Sequence, residues 1–273
     1  MKPRLWRTRP IKQWDATAAL FETLGFDVLA VPVLEIVPLD DPEQIQSVRA
    51  RILDFDRYDF AIFVSQNAVE YGAAWLDDCW PELPWHSRFL AIGQATARAL
   101  AQAGLPVVSE VPISSAMNSE TLLALPELSD LHDKHVLIFR GLGGRDHLAD
   151  SLRTRGAQVD YCELYRRELP AQAAAQVAEA VAQGPAWLSV HSGESLHNLH
   201  TLLEQQAPGD HWHAWPLLVP GERVAKQAQK LGFSQLLVAE NATDTSMAAC
   251  LQCALTGGRH GPDDVTDTST ARS

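Results

Sequence analysis

Polar residues and glycines gather in six short segments of this chain, each at the point where an apolar run ends and an amphipathic stretch begins. The segments are Thr8-Arg9-Pro10, Ser65-Gln66-Asn67, Gly93-Gln94-Ala95-Thr96, Arg140-Gly141-Leu142-Gly143-Gly144-Arg145, His191-Ser192-Gly193 and Pro220-Gly221-Glu222-Arg223. In a parallel α/β sheet, helix N-termini and free loop amides point to this edge, and ligands bind there. We therefore expect the six segments to form the ligand-binding edge.

Several of these residues also have a simpler structural interpretation. Ser65, Asn67, Thr96 and Ser192 are all good helix N-caps, and a capped helix still offers free amides to a ligand. The segment 140–145 has some similarity to a dinucleotide-binding loop. It lacks GxGxxG spacing, however, and no clear ribose-binding acid follows it, which disfavours a nucleotide-binding role.

The sequence contains no GxSxG elbow, no HExxH pair and no Walker loop. Cys250 and Cys253 fall in the predicted last helix, where we expect buried thiols rather than a redox or zinc pair. Four histidines fall on polar loop or helix surfaces, where we expect ordinary surface residues rather than metal ligands. They are His197, His200, His211 and His213. We expect no metal and no cofactor, and a reaction that depends mainly on positioning of the substrate.

Composition narrows the class of protein. The chain has 273 residues, of which 46% are hydrophobic, and a formal net charge of −12. A nucleic-acid binder of this acidity would need a run rich in Lys and Arg, which is missing, although a few arginines can still attract a small anion. No apolar stretch approaches the roughly 20 residues of a membrane helix, and the first residues lack a secretory signal, so we expect a cytoplasmic protein.

Short apolar runs alternate with amphipathic stretches along the chain, a pattern typical of βαβ units and parallel sheets. Strand-like runs include 59–65, 107–110, 135–140, 157–165 and 216–221. Three helical stretches between such runs end in glycine, the usual left-handed helix stop, at Gly104, Gly156 and Gly232.

An internal duplication is the most informative feature of the sequence. Residues 5–28 (segment A) match 137–159 (segment A′), and residues 58–108 (segment B) match 184–238 (segment B′). Gly93 aligns with Gly221, and Ser65 with Ser192, at nearly one constant offset. The order along the chain is therefore A, B, A′, B′.

Two extended, β-rich segments flanked by proline follow the A-type segments, at 31–39 and 159–168. We interpret them as paired linker strands between domains rather than as interior strands. Residues 257–273 lack apolar periodicity, which predicts a disordered tail.

Taken together, the order and spacing of several motifs resemble the uroporphyrinogen-III synthase family over residues 4–255. The motifs are Thr8-Arg9-Pro10, Phe63-Val64-Ser65-Gln66-Asn67-Ala68-Val69, Ala91-Ile92-Gly93 with Thr96-Ala97, Val136-Leu137-Ile138-Phe139-Arg140-Gly141, Gly143-Gly144-Arg145 with Leu148, Leu152 and Gly156, and Tyr165-Arg166-Arg167. The resemblance implies two similar parallel-sheet, flavodoxin-like α/β domains joined by a two-stranded β linker. Domain 1 would comprise 1–34 and 168–256 (segments A and B′), and domain 2 would comprise 38–160 (segments B and A′).

The resemblance also implies a reaction: hydroxymethylbilane loses its terminal hydroxyl, ring D is inverted through a spiro intermediate, and the macrocycle closes without a cofactor. The family's substrate carries many carboxylates, and arginines can bind these with charge-assisted hydrogen bonds. The residues assigned to substrate binding are Thr8, Arg9, Ser65, Gln66, Asn67, Gly93, Thr96, Arg140, Gly141, Arg145, Ser192 and Gly221, with Arg166 as a further carboxylate contact. Tyr165 is the candidate proton donor, and its alternative role is a linker aromatic packed against a domain.

The chain departs from the family pattern at three positions. Val64 stands where the family often has Thr, His191 stands where Thr is common, and Arg223 replaces the small hydroxyl residue that would match Thr96. We therefore expect the hydroxyl residues of the first repeat to contribute more than those of the second.

Two other functions remain open at this point. A two-domain protein that binds a small anion without catalysis fits the same duplicated lobes, and a nucleotide-dependent transferase is a further alternative. The expected partner is the small-molecule substrate, with hydroxymethylbilane synthase as a transient protein partner. We expect a monomer that binds neither nucleic acid nor a membrane.

Overall fold

The computed structural model describes residues 2–11, 15–106, 119–144, 146–209 and 211–256. The predicted strand at 107–110, Arg145 and the predicted tail at 257–273 lie outside these residues. The chain divides into two compact units, unit 1 (Met1–Glu35 and Leu169–Ser273) and unit 2 (Ile36–Glu168). None of the helices in the described part of the chain has the length and apolar character that crossing a bilayer requires.

Short strands alternate with helices throughout. The strands are β1 (Arg4–Arg7), β2 (Asp27–Ala30), β3 (Glu35–Pro38), β4 (Phe60–Phe63), β5 (Arg88–Ala91), β6 (His135–Gly141), β7 (Gln158–Glu168), β8 (Trp187–Ser189), β9 (Leu217–Pro220) and β10 (Leu236–Ala239). The α-helices are α1 (Asp15–Thr23), α2 (Pro42–Leu53), α3 (Gln66–Cys79), α4 (Gln94–Gln102), α5 (Ser119–Leu123), α6 (His147–Thr154), α7 (Ala173–Ala182), α8 (Gly193–Gln206), α9 (Gly221–Lys230) and α10 (Asp244–Leu255). Short 3-10 helices span Phe55–Arg57, Pro126–Leu128 and His211–Ala214.

Unit 1 is built on a sheet with the strand order β10-β9-β8-β1-β2, in which neighbouring strands run parallel. Successive strand residues point to opposite faces, so each strand feeds two cores. Trp6 packs with residues of α7, α8 and α9, while the preceding residue, Leu5, packs with residues of α1 and α10. The sheet is therefore covered by helices on both faces.

Unit 2 is built on a sheet with the strand order β3-β7-β6-β4-β5. Phe63 packs with α2, α3 and α4, whereas Ile62 packs with α5 and α6 on the other face. Phe63 and Phe139 stack with their ring centroids 4.2 Å apart, which joins the central strands β4 and β6. The predicted α/β class with parallel sheets is confirmed.

The duplicated segments occupy equivalent places in the two sheets. Segments A and B′ provide β2-β1-β8-β9, and segments A′ and B provide β7-β6-β4-β5 in the same relative order. The carboxyl ends of the strands in each sheet consequently meet the N-termini of the helices that follow, as the six polar segments require.

The two predicted linker segments contain β3 and β7, which are neighbours in the second sheet, and the chain passes from one unit to the other at 35/36 and at 168/169. The expectation that 159–168 is not an interior strand is wrong, because β7 also pairs with β6. Its charged and aromatic residues concealed the apolar positions, yet Cys162 and Leu164 are buried. Cys250 and Cys253 do lie on α10, but Cys250 is only partly buried and Cys253 is exposed, because it is on the outer face of that helix.

Candidate functional site

An irregular pairing of β6 with β7 sets the direction of the Tyr165 side chain. Arg140 pairs with Glu163, but the next residue, Gly141, pairs with Tyr165, so Leu164 is an extra residue on β7. Side chains of a regular strand alternate between the two faces, and an extra residue interrupts this alternation. Leu164 and Tyr165 therefore belong to the same core cluster although they are neighbours in the chain.

Tyr165 lines a cavity of about 430 Å³ at the carboxyl ends of the central strands of unit 2. Its ring is only 3% exposed and stacks on Tyr71, with ring centroids 5.6 Å apart. Its hydroxyl oxygen lies 3.0 Å from Ser65 Oγ, and either group can donate this hydrogen bond. Further polar groups in the lining come from Glu120, Arg140, His147, Tyr161 and Arg167. A buried phenol, a hydroxyl and cationic groups thus line one partly open cavity.

A second cavity of unit 2, of about 570 Å³, is lined by residues from the C-terminal ends of α3 and α4, including Trp80 and Leu105. It lies at the opposite edge of the sheet, away from the helix N-termini and from Tyr165. Although it is larger, its lining offers mainly apolar side chains, so the smaller cavity is the better candidate for chemistry.

Ser65 performs both of the roles that the sequence left open for it. It is the N-cap of α3, where its Oγ accepts a hydrogen bond of 3.1 Å from the Ala68 amide. The same oxygen contacts the Tyr165 hydroxyl. Gln66, which is exposed, and Asn67, which is half-buried, form the first turn of α3, whose N-terminal amides carry partial positive charge.

Arg140 is buried at the end of β6, and its guanidinium is surrounded by protein groups. These groups are the carbonyls of Gly141 and Gly144, the carboxylates of Asp146 (3.2 Å) and Glu163 (3.4 Å), and the ring of Tyr161, 4.2 Å from the guanidinium carbon. Hydrogen bonds from Tyr161 and Arg140 hold the pKa of Asp146 below its usual value. Arg140 therefore stabilises the turn that follows β6 through its hydrogen bonds to the carbonyls, and the carboxylates of Asp146 and Glu163 balance its charge.

Two positions of this turn require glycine, because the side chains of Tyr165 and Arg140 pack closely against the backbone there. A Cβ on Gly141 would lie 2.5 Å from the Tyr165 ring, so this glycine makes the space that the tyrosine occupies. A Cβ on Gly144 would lie 2.9 Å from the Arg140 guanidinium. The glycine-rich pattern of segment 140–145 thus serves side-chain packing at the cavity.

The other predicted residues of unit 2 lie beside the cavity. Gly93 is the N-cap of α4 with a φ of 93°, and Thr96 is buried in the first turn of that helix. Neither residue lines the cavity, although their neighbour Ile92 does. The structure therefore brings together Ser65, Arg140, Gly141 and Tyr165 from the predicted set, and Arg145 lies outside the described residues.

In unit 1, the corresponding edge carries a partly buried charge cluster. Arg9 Nη1 lies 2.7 Å from Asp244 Oδ2, and His191 Nε2 lies 3.3 Å from Asp244 Oδ1. Asp244 is the first residue of α10, so the carboxylate also faces the positive end of that helix. Three elements that are far apart in the chain thus meet at one carboxylate.

Burial and neighbouring charges shift the pKa values of His191 and Asp244. Burial lowers the pKa of the His191 imidazole, and its ion pair with Asp244 only partly opposes that effect. Burial would raise the pKa of Asp244, but the nearby His191 and the charge of Arg9 outweigh it and hold that pKa below its usual value. The favoured state near pH 7 is a neutral histidine beside an ionised, paired aspartate.

The remaining predicted residues of unit 1 have structural roles. Thr8 is fully buried, and its hydroxyl donates a 2.7 Å hydrogen bond to the Ser189 carbonyl, which ties β1 to β8. Ser192 caps α8 in a reciprocal pair with Ser195. Gly221 begins α9 with a φ of 74°, in the left-handed region. The duplicated serines Ser65 and Ser192 are therefore both N-caps.

Arg166, which the sequence offered as a carboxylate contact, is already engaged with two carboxylates. Its guanidinium pairs with both oxygens of Asp40, one of them at 2.8 Å, and also with Glu168. These hydrogen bonds raise the pKa of Arg166. The residue ties the end of β7 to the segment after β3.

Sequence reasoning overlooked several residues of both edges. Tyr161, His147 and Glu120 line the cavity of unit 2 but stand in no recognisable motif. Asp244 contacts Arg9 from the far end of the chain, and only its place at the start of the last helix could have drawn attention to it. His191 belonged to one of the six polar segments, but its pairing partner was not foreseeable.

Comparison with protein families gives a match to the model described as "Uroporphyrinogen-III synthase HemD", over residues 15–249 of this chain. The chain is 34% identical over 254 residues to the uroporphyrinogen-III synthase of Escherichia coli (strain K12), covering 90% of this chain and 98% of the relative. It is also 34% identical over 248 residues to the Salmonella typhimurium uroporphyrinogen-III synthase, with the same coverage of 90% and 98%.

Solved structures agree in fold. A mutant uroporphyrinogen III synthase from the extremely thermophilic bacterium Thermus thermophilus matches with a TM-score of 0.63 and 22% identity, covering 93% of this chain and 99% of that one. The Helicobacter pylori uroporphyrinogen-III synthetase matches with a TM-score of 0.56 and 16% identity, covering 94% and 99%. At these identities the likeness supports the two-domain α/β fold.

Proposed function

The chain belongs to the uroporphyrinogen-III synthase family, whose members are cyclising enzymes of haem biosynthesis, and we propose that it converts hydroxymethylbilane to uroporphyrinogen III. The reaction closes the linear tetrapyrrole, inverts ring D and releases water, and the proposal invokes no cofactor. One structural observation carries the assignment of the site: the Tyr165 hydroxyl is held beside Ser65 in a partly open cavity at the carboxyl ends of the strands of unit 2.

Tyr165 is the proposed proton donor to the leaving hydroxyl. As the carbon–oxygen bond breaks, its electron pair goes to oxygen, the phenol proton completes a water molecule, and the adjacent electron-rich pyrrole supplies the electrons that the carbon loses. Ring closure later releases a proton from the substrate, which restores the phenol. Ser65 is placed to accept a hydrogen bond from the phenol or to donate one to the phenolate, so it can hold the oxygen in both states.

The carboxylates of the substrate require positive groups and free amides. Arg167 is exposed and lines the cavity, and the N-terminal amides of α3, next to Gln66 and Asn67, lie at the same edge. Arg140 supports these contacts by fixing the turn that begins with Gly141. Its charge is shared with Asp146 and Glu163, so we assign it to positioning the site rather than to a carboxylate of its own.

The other residues of the predicted binding set are proposed to act from helix starts. Gly93 and Thr96 shape the N-terminus of α4, and Ser192 and Gly221 shape those of α8 and α9. Arg9 lies at the edge of unit 1 in its pair with Asp244. Thr8 supports this edge from within, because its buried hydroxyl joins β1 to β8.

We further propose that the protein works as a cytoplasmic monomer and receives its substrate from hydroxymethylbilane synthase in a transient encounter. The support is chemical: hydroxymethylbilane closes spontaneously to the type I isomer, so a long delay between the two enzymes would lose substrate. The supplying reaction must therefore release the bilane close to this protein.

The decisive experiment supplies hydroxymethylbilane to the purified protein and separates the product isomers after oxidation. We expect the type III isomer to predominate, while a parallel reaction with heat-denatured protein yields the spontaneous type I isomer. A protein that binds the bilane but leaves only type I product would refute the proposed activity and favour anion binding without catalysis.

A further inference from the structure

Three side chains with metal-binding groups meet in unit 1, in the C-terminal half of α8 and the following 3-10 helix. His200 and Glu204 lie one turn apart on α8, and His213 lies in the 3-10 helix His211–Ala214. Each residue offers one donor atom, and all three donor atoms lie within 4.8 Å of one another. His213 Nε2 and Glu204 Oε1 are 3.9 Å apart.

Packing holds the two imidazole rings in place. The His213 ring stacks on the buried Trp212 with centroids 3.6 Å apart, and the His200 ring meets the same indole edge-on at 5.6 Å. A Cβ on Gly232 would lie 2.9 Å from the His213 ring, so that glycine leaves the ring its space. Rings that are fixed by packing lose little freedom when they bind an ion.

The three side chains offer the donor types that a transition-metal ion accepts. An imidazole binds such an ion through the lone pair of a ring nitrogen. Glu204 is exposed, so its carboxylate can rotate toward an ion.

We propose that His200, Glu204 and His213 bind a divalent transition-metal ion, with Zn²⁺ as the ion that two imidazoles and one carboxylate suit best, and with solvent in the fourth position. At metal–ligand distances of about 2.0–2.1 Å, tetrahedral geometry places the donor atoms about 3.3–3.5 Å apart. The 3.9 Å between His213 Nε2 and Glu204 Oε1 must shorten by a few tenths of an ångström, and the other donor pairs, which lie within 4.8 Å, by up to about 1.5 Å. The bound ion would join α8 to the segment that leads into β9.

This site is separate from the proposed active site. Ser192 caps the N-terminus of α8 at the ligand-binding edge, whereas Glu204 lies in the last turn of the same helix. We therefore assign the ion a stabilising role, and the proposal stands or falls independently of bilane cyclisation.

The test is a calorimetric titration of the full chain with Zn²⁺ after treatment with a chelator and its removal. We expect binding of one ion and a higher melting temperature with Zn²⁺ present. His200→Ala, Glu204→Gln and His213→Ala should each weaken binding by at least about 10-fold, since even the loss of an outer-shell partner has effects of that size. Glu204→Gln changes an exposed side chain, so this variant should remain folded if the histidine variants do not.

Matched controls come from the neighbouring histidines and the thiols. His197→Ala lies on the same helix, His211→Ala lies in the same 3-10 helix, and a Cys250→Ser, Cys253→Ser variant removes the thiol pair of α10. All three controls should bind Zn²⁺ like the wild-type protein. Absence of binding to the wild-type protein, or equal weakening in the control and test variants, would overturn the proposal.

Discussion

Replacing Tyr165 by Phe removes one hydroxyl from the cavity of unit 2 and leaves the aromatic ring in place. The ring keeps its stacking on Tyr71 and its close approach to Gly141. The change therefore removes the 3.0 Å hydrogen bond to Ser65 and the proposed proton donor, with little effect on the shape of the cavity.

The expected loss of stability is small because Ser65 keeps a partner. Its Oγ still accepts a hydrogen bond from the Ala68 amide, so this oxygen is not left unsatisfied. Loss of an ordinary hydrogen bond costs about 0.5–1.5 kcal/mol of unfolding free energy. Loss of a general acid costs about 10²–10⁴-fold in turnover, equivalent to about 2.7–5.5 kcal/mol of activation free energy. The rise in activation free energy should therefore exceed the loss of unfolding free energy.

The assay combines the initial rate of type III isomer formation with urea unfolding of the same preparations. Tyr58→Phe is the matched control, because Tyr58 is also buried in unit 2 and its hydroxyl donates a 2.9 Å hydrogen bond to Asp160. Tyr58 does not line the cavity of Tyr165. The control should lose at least as much stability, because a hydrogen bond to a carboxylate contributes more than one between hydroxyls, and it should keep wild-type turnover.

Two results would refute this reasoning. Wild-type turnover in a well-folded Tyr165→Phe protein would remove the phenol as proton donor. An equal fall of turnover in the Tyr58→Phe control would show that the loss follows stability rather than chemistry.

Three further predictions concern other parts of the molecule. Gly141→Ala places a Cβ 2.5 Å from the Tyr165 ring. We expect the free energy of unfolding, measured in urea, to fall by about 1–3 kcal/mol, and the rate of type III formation to fall as well. Unchanged turnover would show that the ring position is unimportant. Because the pKa of His191 is lowered from 6.5 in the folded state, the unfolded chain binds the proton first, and the free energy of unfolding should fall as the pH drops below 6.5. His191→Gln, with Asp244 retained, should reduce that fall between about pH 7.5 and about pH 5.5, and an identical pH profile would contradict the assignment. Truncation after Gly257 should leave activity and melting temperature unchanged, and a drop of several degrees would show that residues 258–273 contact a domain.

Much of the fold follows from local patterns in the sequence. Apolar runs of strand length, helical stretches that end at Gly104, Gly156 and Gly232, and the A, B, A′, B′ duplication predicted parallel α/β units and the equivalence of their strands. These features are readable because the two periodicities, 2 for strands and 3.6 for helices, depend on neighbours in the chain. The order of motifs around Ser65 and Arg140 was sufficient to suggest the family.

The details of the site depended on tertiary structure. The extra residue Leu164 arises only when β7 pairs with β6, and it turns Tyr165 toward Ser65, 100 residues earlier in the chain. The sequence also did not reveal that 159–168 pairs with β6 as an interior strand, because its charged residues concealed the apolar positions.

The same limit applies to charges that meet across long stretches of chain. Local sequence cannot show that Arg140 is engaged by Asp146 and Glu163, or that Arg9 meets Asp244 from a position 235 residues away. It also cannot show that two histidines and a glutamate converge next to Trp212. The sequence alone determined which elements form and which edge carries the polar residues, because both depend on local periodicity. Only the folded chain decided which of those residues touch, because contacts between distant segments depend on sheet register and helix packing.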